Sequence, residues 1–132
     1  MSQENVEIVR EIYADARGLT GGAGGKVAPD AEFDFSATYP DTPVLRGIDE
    51  LRRFRDSGPW GGSPISFEPE RFFDVDDERV LVFVRVSATG AGSGVRVENR
   101  VAHALTLQDG RVVRVTVFDD QAEALEAVGL SE

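Results

Sequence analysis

A chain of 132 residues with 41% apolar side chains and mixed charges is long and apolar enough to bury a core, which excludes a disordered polypeptide. Its net charge of −10 leaves no basic stripe for nucleic acid and no attraction to an anionic membrane surface. There is no cysteine for disulfide or thiolate chemistry, the opening "MSQENVEIVR" is unlike a signal peptide, and "VLVFV" is far too short to span a bilayer. The expectation is one domain over residues 1–132, located in the cytoplasm. Thirteen arginines against one lysine point to a GC-rich, bacterial genome.

In chain order, Ser2 is placed to cap a helix that runs to about Arg17 and stops at Gly18, with Val6, Val9, Ile12, Tyr13 and Ala16 as its apolar stripe. The stretch "GLTGGAGGKVAPD" then raises the question of a phosphate loop. Such a loop needs a glycine where Thr20 stands and a Ser or Thr where Val27 stands, and it lies between a strand and a helix. Here a helix precedes it and a proline follows, so the segment reads as a connection. Next, "AEFDFSA" alternates as a short strand with Phe33 and Phe35 on one side and Glu32 and Asp34 on the other. A loop, "YPDTPVLRG", leads to a second helix, "IDELRRFRDSGP", with Ile48, Leu51 and Phe54 inward.

After the loop "WGGSP", the pattern becomes a meander of four strands. "ISFEPERFFDV" carries Pro69, which marks an edge or a bulge. "RVLVFVRVSA", "VRVENRVAHALTL" and "RVVRVTVF" follow, joined through "TGAGSG" and "QDG". The chain closes on a short helix, "DDQAEALEAVGL", with Asp120 and Glu123 spaced as a capping box. This order predicts an α+β fold in which helices cover one face of a curved antiparallel sheet. For the last hairpin, a three-residue turn Gln108-Asp109-Gly110 with a glycine bulge pairs Leu105 with Val113 and His103 with Val115. That register gathers the apolar residues on one face, whereas a two-residue turn mixes the faces.

The segments "VEIVREIYADARG", "AEFDF", "LRGIDELRRF", "GAGSGV" and above all "HALTLQDGRVVRVTVFDDQAEALEAVGL" resemble the SnoaL-like polyketide cyclase family of the nuclear transport factor 2-like superfamily. The resemblance covers nearly the whole chain. It implies a cone-shaped sheet (a cystatin-like roll related to ketosteroid isomerases), a pocket between the helices and the concave face, and dimerisation through the sheet. It implies no cofactor. In the cyclases an acid on the last strand acts with a histidine. His103 matches the histidine, but the acid's position holds Val117, and Asp119, two residues on, either substitutes for it or helps cap the last helix.

Three polar residues interrupt the expected pocket face: Arg85, Asn99 and His103. Arg85 and His103 are candidate catalytic groups. Asn99, Asp34, Tyr13, Trp60, Phe83, Val101, Val115 and Val117 are candidate ligand contacts. Each also has a plain structural reading. His103 can be a satisfied core residue, Arg85 a rim residue, Asn99 a strand residue at a bulge and Asp34 a solvent-facing acid, while Tyr13 and Trp60 can serve as packing. No metal-ligand spacing, hydrolase elbow or dinucleotide fingerprint is present. Two readings result: an enzyme of cyclase, isomerase or hydrolase type acting on an apolar carbonyl compound, or a binding module for a small apolar metabolite. A homodimer is expected through the row Val80, Val82, Val84 and Val86, taken to face outward.

Overall fold

The computed structural model describes residues 2–15, 24–57, 65–89 and 94–130. In chain order it has helix α1 (Ser2–Ala14), strands β1 (Val27–Asp34) and β2 (Leu45–Arg46), helix α2 (Gly47–Ser57), strands β3 (Ile65–Asp74), β4 (Arg79–Thr89), β5 (Arg96–Gln108) and β6 (Arg111–Phe118), and helix α3 (Gln121–Ala127). The fold is α+β, as expected. One sheet runs in the order β2-β1-β6-β5-β4-β3. The long strands pair antiparallel, and β1 lies parallel to β6. β1 begins at Val27, four residues before the strand read from alternation alone, because Val27 and Ala28 are buried in the core. The end of the first helix (Ala16, Arg17, Gly18), the stretch "WGGSP" and most of both glycine-rich segments lie outside the described residues.

Helices α1 and α2 cover one face of the sheet. Val9 and Ile12 of α1 are fully buried, and Leu51 of α2 is buried with Ile48 and Phe54 beside it. These residues pack on Val80, Val82, Val84, Val101, Leu105, Val112 and Val115. Helix α2 is held at its start by Glu50, whose carboxylate accepts from the Arg46 backbone N–H at 2.9 Å. Gly47, at φ 84, presses so close to β1 that a Cβ there would stand 3.0 Å from the Pro29 carbonyl oxygen. Helix α3 lies on the opposite face and buries Leu81, Phe83 and Ala102 against Ala124, Leu125 and Val128. Asp120 caps it, its carboxylate accepting from the N–H groups of Ala122 (2.8 Å) and Glu123 (3.2 Å). Pro69 sits on the edge strand, and the β3–β4 register shifts just after it, so both of its expected roles apply.

Two register expectations are corrected. The last hairpin turns on two residues, Asp109 (φ 53) and Gly110 (φ 77), the double positive φ of a type I′ turn. Faces are not mixed, because Val113 bulges out of the pairing. Beyond it Leu105 stands opposite Val115, and His103 opposite Val117. The valines thus reach the predicted face through a turn and a bulge at separate places. In the β4–β5 hairpin, Thr89 faces Arg96, which sets Val86 opposite Asn99 and Arg85 opposite Arg100. The expectation that Arg85 neighbours Asn99 on one face was one residue out of phase, and a one-residue slip exchanges the faces of a strand. Val80, Val82 and Val84 are therefore fully buried beneath the helices, with Val86 partly buried beside them, and form no outward face for a partner.

Candidate functional site

A cavity of about 180 Å³ opens between α2, the segment after β1, and the helix-covered face of β3 to β6. Its walls are mainly apolar: Phe35, Leu51, Phe54, Ile65, Phe67, Val86, Val97, Val101 and Val117. Phe35 and Phe54 pack ring on ring at 4.8 Å, with Tyr39 against Phe54 at 6.0 Å, so one wall is aromatic. Phe67 and Val97 are exposed and form an apolar lip. The polar wall residues are Thr38, Tyr39, Arg55, Asn99, His103 and Asp119. This is the arrangement of a small-molecule site, apolar walls with a few polar groups that orient a ligand.

His103 is the buried polar group of the core, only 4% exposed. Its Nδ1 lies 2.6 Å from the Tyr13 hydroxyl at the end of α1, and the two rings stack with centroids 5.9 Å apart. Phe67 lies 6.1 Å away, ring centroid to ring centroid. Burial pulls the imidazole pKa down to about 4, so His103 is neutral at physiological pH. The same burial raises the Tyr13 hydroxyl, which keeps its proton.

The other candidate residues divide clearly. Val101, Val117 and Asn99 line the cavity with His103. The Asn99 Oδ1 accepts from the Arg100 backbone N–H at 3.0 Å. Tyr13 touches the site through His103. Val115 faces the same way but is 1% exposed, packed in the core below the cavity. Arg85 and Phe83 are on the opposite face, where Arg85 pairs with Glu68 and Phe83 packs under α3. Asp34 also points away. It accepts from Ser36 and from the Arg114 guanidinium at 3.0 Å, and the Ser36 hydrogen bonds, with Arg114, hold its carboxyl below the usual range. Trp60 lies outside the described residues.

Phe35, Thr38, Tyr39, Leu51, Phe54, Arg55, Ile65, Phe67, Val86 and Val97 are wall residues that were not among the candidates. Alternation already put Phe35 on the face of Phe33 and Phe54 on the inner face of α2. What it lacked was the closure of α2 over the sheet. Asp119 lines the cavity, and the side chain of Asp120 caps α3. Thr38 holds a buried hydroxyl without a hydrogen-bond partner among the described residues. Lys26 of the glycine segment lies 3.5 Å from Glu11. Among the described residues no group of three or more His, Cys, Asp or Glu side chains is placed to hold a metal ion. No helix among them is long and apolar enough to cross a membrane.

The profile of the SnoaL-like domain matches residues 20–115, most of the chain. The chain belongs to the SnoaL-like domain family. A comparison with curated proteins gives no match. Solved structures of SnoaL-like and related shape are similar over almost their full length. An NTF2-like protein of unknown function from Burkholderia pseudomallei K96243 superposes with a TM-score of 0.69 at 24% identity, covering 95% of this chain and 97% of its own. TerC, co-crystallised with polyporic acid, gives a TM-score of 0.70 at 21% identity, with 96% and 98% covered. SalBIII, an epoxide hydrolase/cyclase-like enzyme in pyran ring formation in the polyether salinomycin, gives 0.67 at 20% identity, with 92% and 96% covered. At these identities the likeness establishes the fold that this SnoaL-like domain shares with them.

Proposed function

We propose that the cavity takes a compact, mostly apolar molecule bearing a carbonyl oxygen, and that His103 and Asp119 serve a proton transfer beside that carbonyl. The single observation that carries this reading is that one apolar cavity has both a buried, neutral imidazole and a carboxylate in its wall. His103 stands opposite Val117, and Asp119 is the next residue of the same parity.

In the proposed step the Asp119 carboxylate removes a proton from the carbon next to the carbonyl. The C–H electron pair becomes a carbon–carbon double bond, and the carbonyl π pair moves onto oxygen, where an N–H of His103 stabilises the enolate by hydrogen bonding. Return of the proton at a different carbon completes an isomerisation; attack by the enolate carbon on a second carbonyl of the same molecule, whose π pair moves onto its own oxygen and takes the proton held by Asp119, completes a cyclisation. Asn99 offers a second donor at the mouth. Arg85 has no part, since it lies on the far face. The activity named for SalBIII and the polyporic acid held by TerC lend the same direction.

A second reading, binding without turnover, is favoured by Val117, because the residue that directly faces His103 cannot move a proton. Deuterium exchange separates the two. Incubated with 2-tetralone in D₂O, the protein is expected to accelerate exchange at the carbons beside the carbonyl, and D119N is expected to abolish the acceleration while still binding. Binding by the wild-type protein with no acceleration would establish the binding module instead. A cytoplasmic location fits this reading. A homodimer now rests on the family resemblance alone.

A further inference from the structure

The Tyr13–His103 pair does more than fill space. One proton lies between the tyrosine oxygen and Nδ1, and it can belong to either. If Nδ1 carried it, the tyrosine oxygen would accept, and its own O–H would need another acceptor. Tyr13 makes no other hydrogen bond among the described residues. If the tyrosine donates, both atoms are satisfied, and the imidazole's one proton must sit on Nε2. Nδ1 is turned to Tyr13, which is not part of the cavity wall, while His103 is. Nε2, on the other side of the ring, is the nitrogen left for the cavity.

We infer that Tyr13 is a positioning residue that locks His103 with its proton on Nε2, so that the cavity presents a fixed hydrogen-bond donor and selects ligands with an oxygen acceptor at that point. The inference rests on the proposed reading of the cavity and adds to it a ligand requirement. Ketones, quinones, esters and enolates satisfy the donor, whereas a hydrocarbon of equal shape leaves it unpaired. An ammonium group meets an N–H and is rejected. Stacking between the two rings fixes the plane of the imidazole as well as its tautomer, so the donor has one direction.

His103 is the sole histidine, which makes its ring nitrogens directly assignable by ¹⁵N NMR. The wild-type protein, without ligand, is expected to show a pyrrole-type Nε2 and a pyridine-type Nδ1. In Y13F the two resonances are expected to move toward each other as the tautomers mix. A wild-type spectrum with the proton on Nδ1, or an unchanged spectrum in Y13F, overturns the inference. The ligand arm uses tetralin and 2-tetralone. Wild-type protein is expected to prefer the ketone by about three- to tenfold, the range of one net hydrogen bond, and Y13F to lose most of that preference while keeping its affinity for tetralin. Equal preference in the two proteins overturns the positioning role and leaves the cavity reading intact. Wild-type protein that binds neither compound overturns the cavity reading, and the ligand requirement with it.

Discussion

The Tyr13 hydroxyl and Nδ1 of His103 are 2.6 Å apart, although 90 residues separate them in the chain. This contact ties the end of α1 to the middle of β5, where burial holds the imidazole neutral in the wall of the cavity. A histidine whose folded pKa is depressed to about 4 from 6.5 binds fewer protons folded than unfolded between those values. Its contribution to stability is complete above pH 6.5 and is lost as pH falls toward 4. Chemical denaturation at steps across that interval is expected to show falling stability in the wild-type protein and a flatter profile in H103F. The depressed carboxyls of Asp34 and Asp76 act below their ordinary 3.8, outside this interval.

Val117 faces His103 across the strands and lines the cavity. V117F directs a phenyl ring into the space of about 180 Å³ and is expected to weaken 2-tetralone binding at least tenfold. Crowding of this kind costs about 1–3 kcal/mol of stability, which leaves the fold intact. Isothermal titration beside a melting curve checks both halves. Unimpaired binding would move the ligand site elsewhere.

Arg85 is predicted to be irrelevant to the ligand. R85A removes a solvent-screened surface ion pair with Glu68 on the far face, of little consequence for stability. Binding and deuterium exchange with 2-tetralone are expected to be unchanged. A tenfold loss in either would contradict the β4–β5 register.

The Thr38 hydroxyl is buried with no hydrogen-bond partner among the described residues, a desolvated group of the kind that costs about 1–3 kcal/mol. T38V keeps the shape and removes the oxygen. It is expected to raise the melting temperature, whereas T38S, which keeps the hydroxyl and removes the methyl, is expected to lower it. A destabilised T38V would show that the hydroxyl has a partner.

Much of this architecture could be read locally. Ile48, Leu51 and Phe54 announce the buried side of α2, Asp120 the start of α3, and Pro69 the edge of the sheet, because each signal acts within a few residues. His103, Val101, Asn99 and Val117 share a wall through simple alternation. Arg85 and Phe83 were misplaced because the phase between β4 and β5 is set inside a glycine-rich hairpin that carries no alternation of its own. The aromatic wall of Phe35, Tyr39 and Phe54 arises where the segment after β1 meets α2, a closure that alternation within either element does not show. The apolar row on β4 was visible too, yet hydrophobicity alone does not say whether helices or a second copy will cover it.

Val113, the bulged residue of β6, acts as a spacer that keeps two counting systems in step. The tight Asp109-Gly110 turn sets one phase at the start of the strand, and the valines that must meet His103 and Leu105 require the other. Closing this bulge with every residue kept in the ladder would leave the turn satisfied and turn every later side chain of β6 over. Thr116 would then stand where Val117 lines the cavity, and the alternating valines would go to the far side, with the charged Arg114 brought under the helices. The bulge thus decides which face every residue beyond Val113 presents, and the cavity wall at Val117 depends on it as much as on the valine itself.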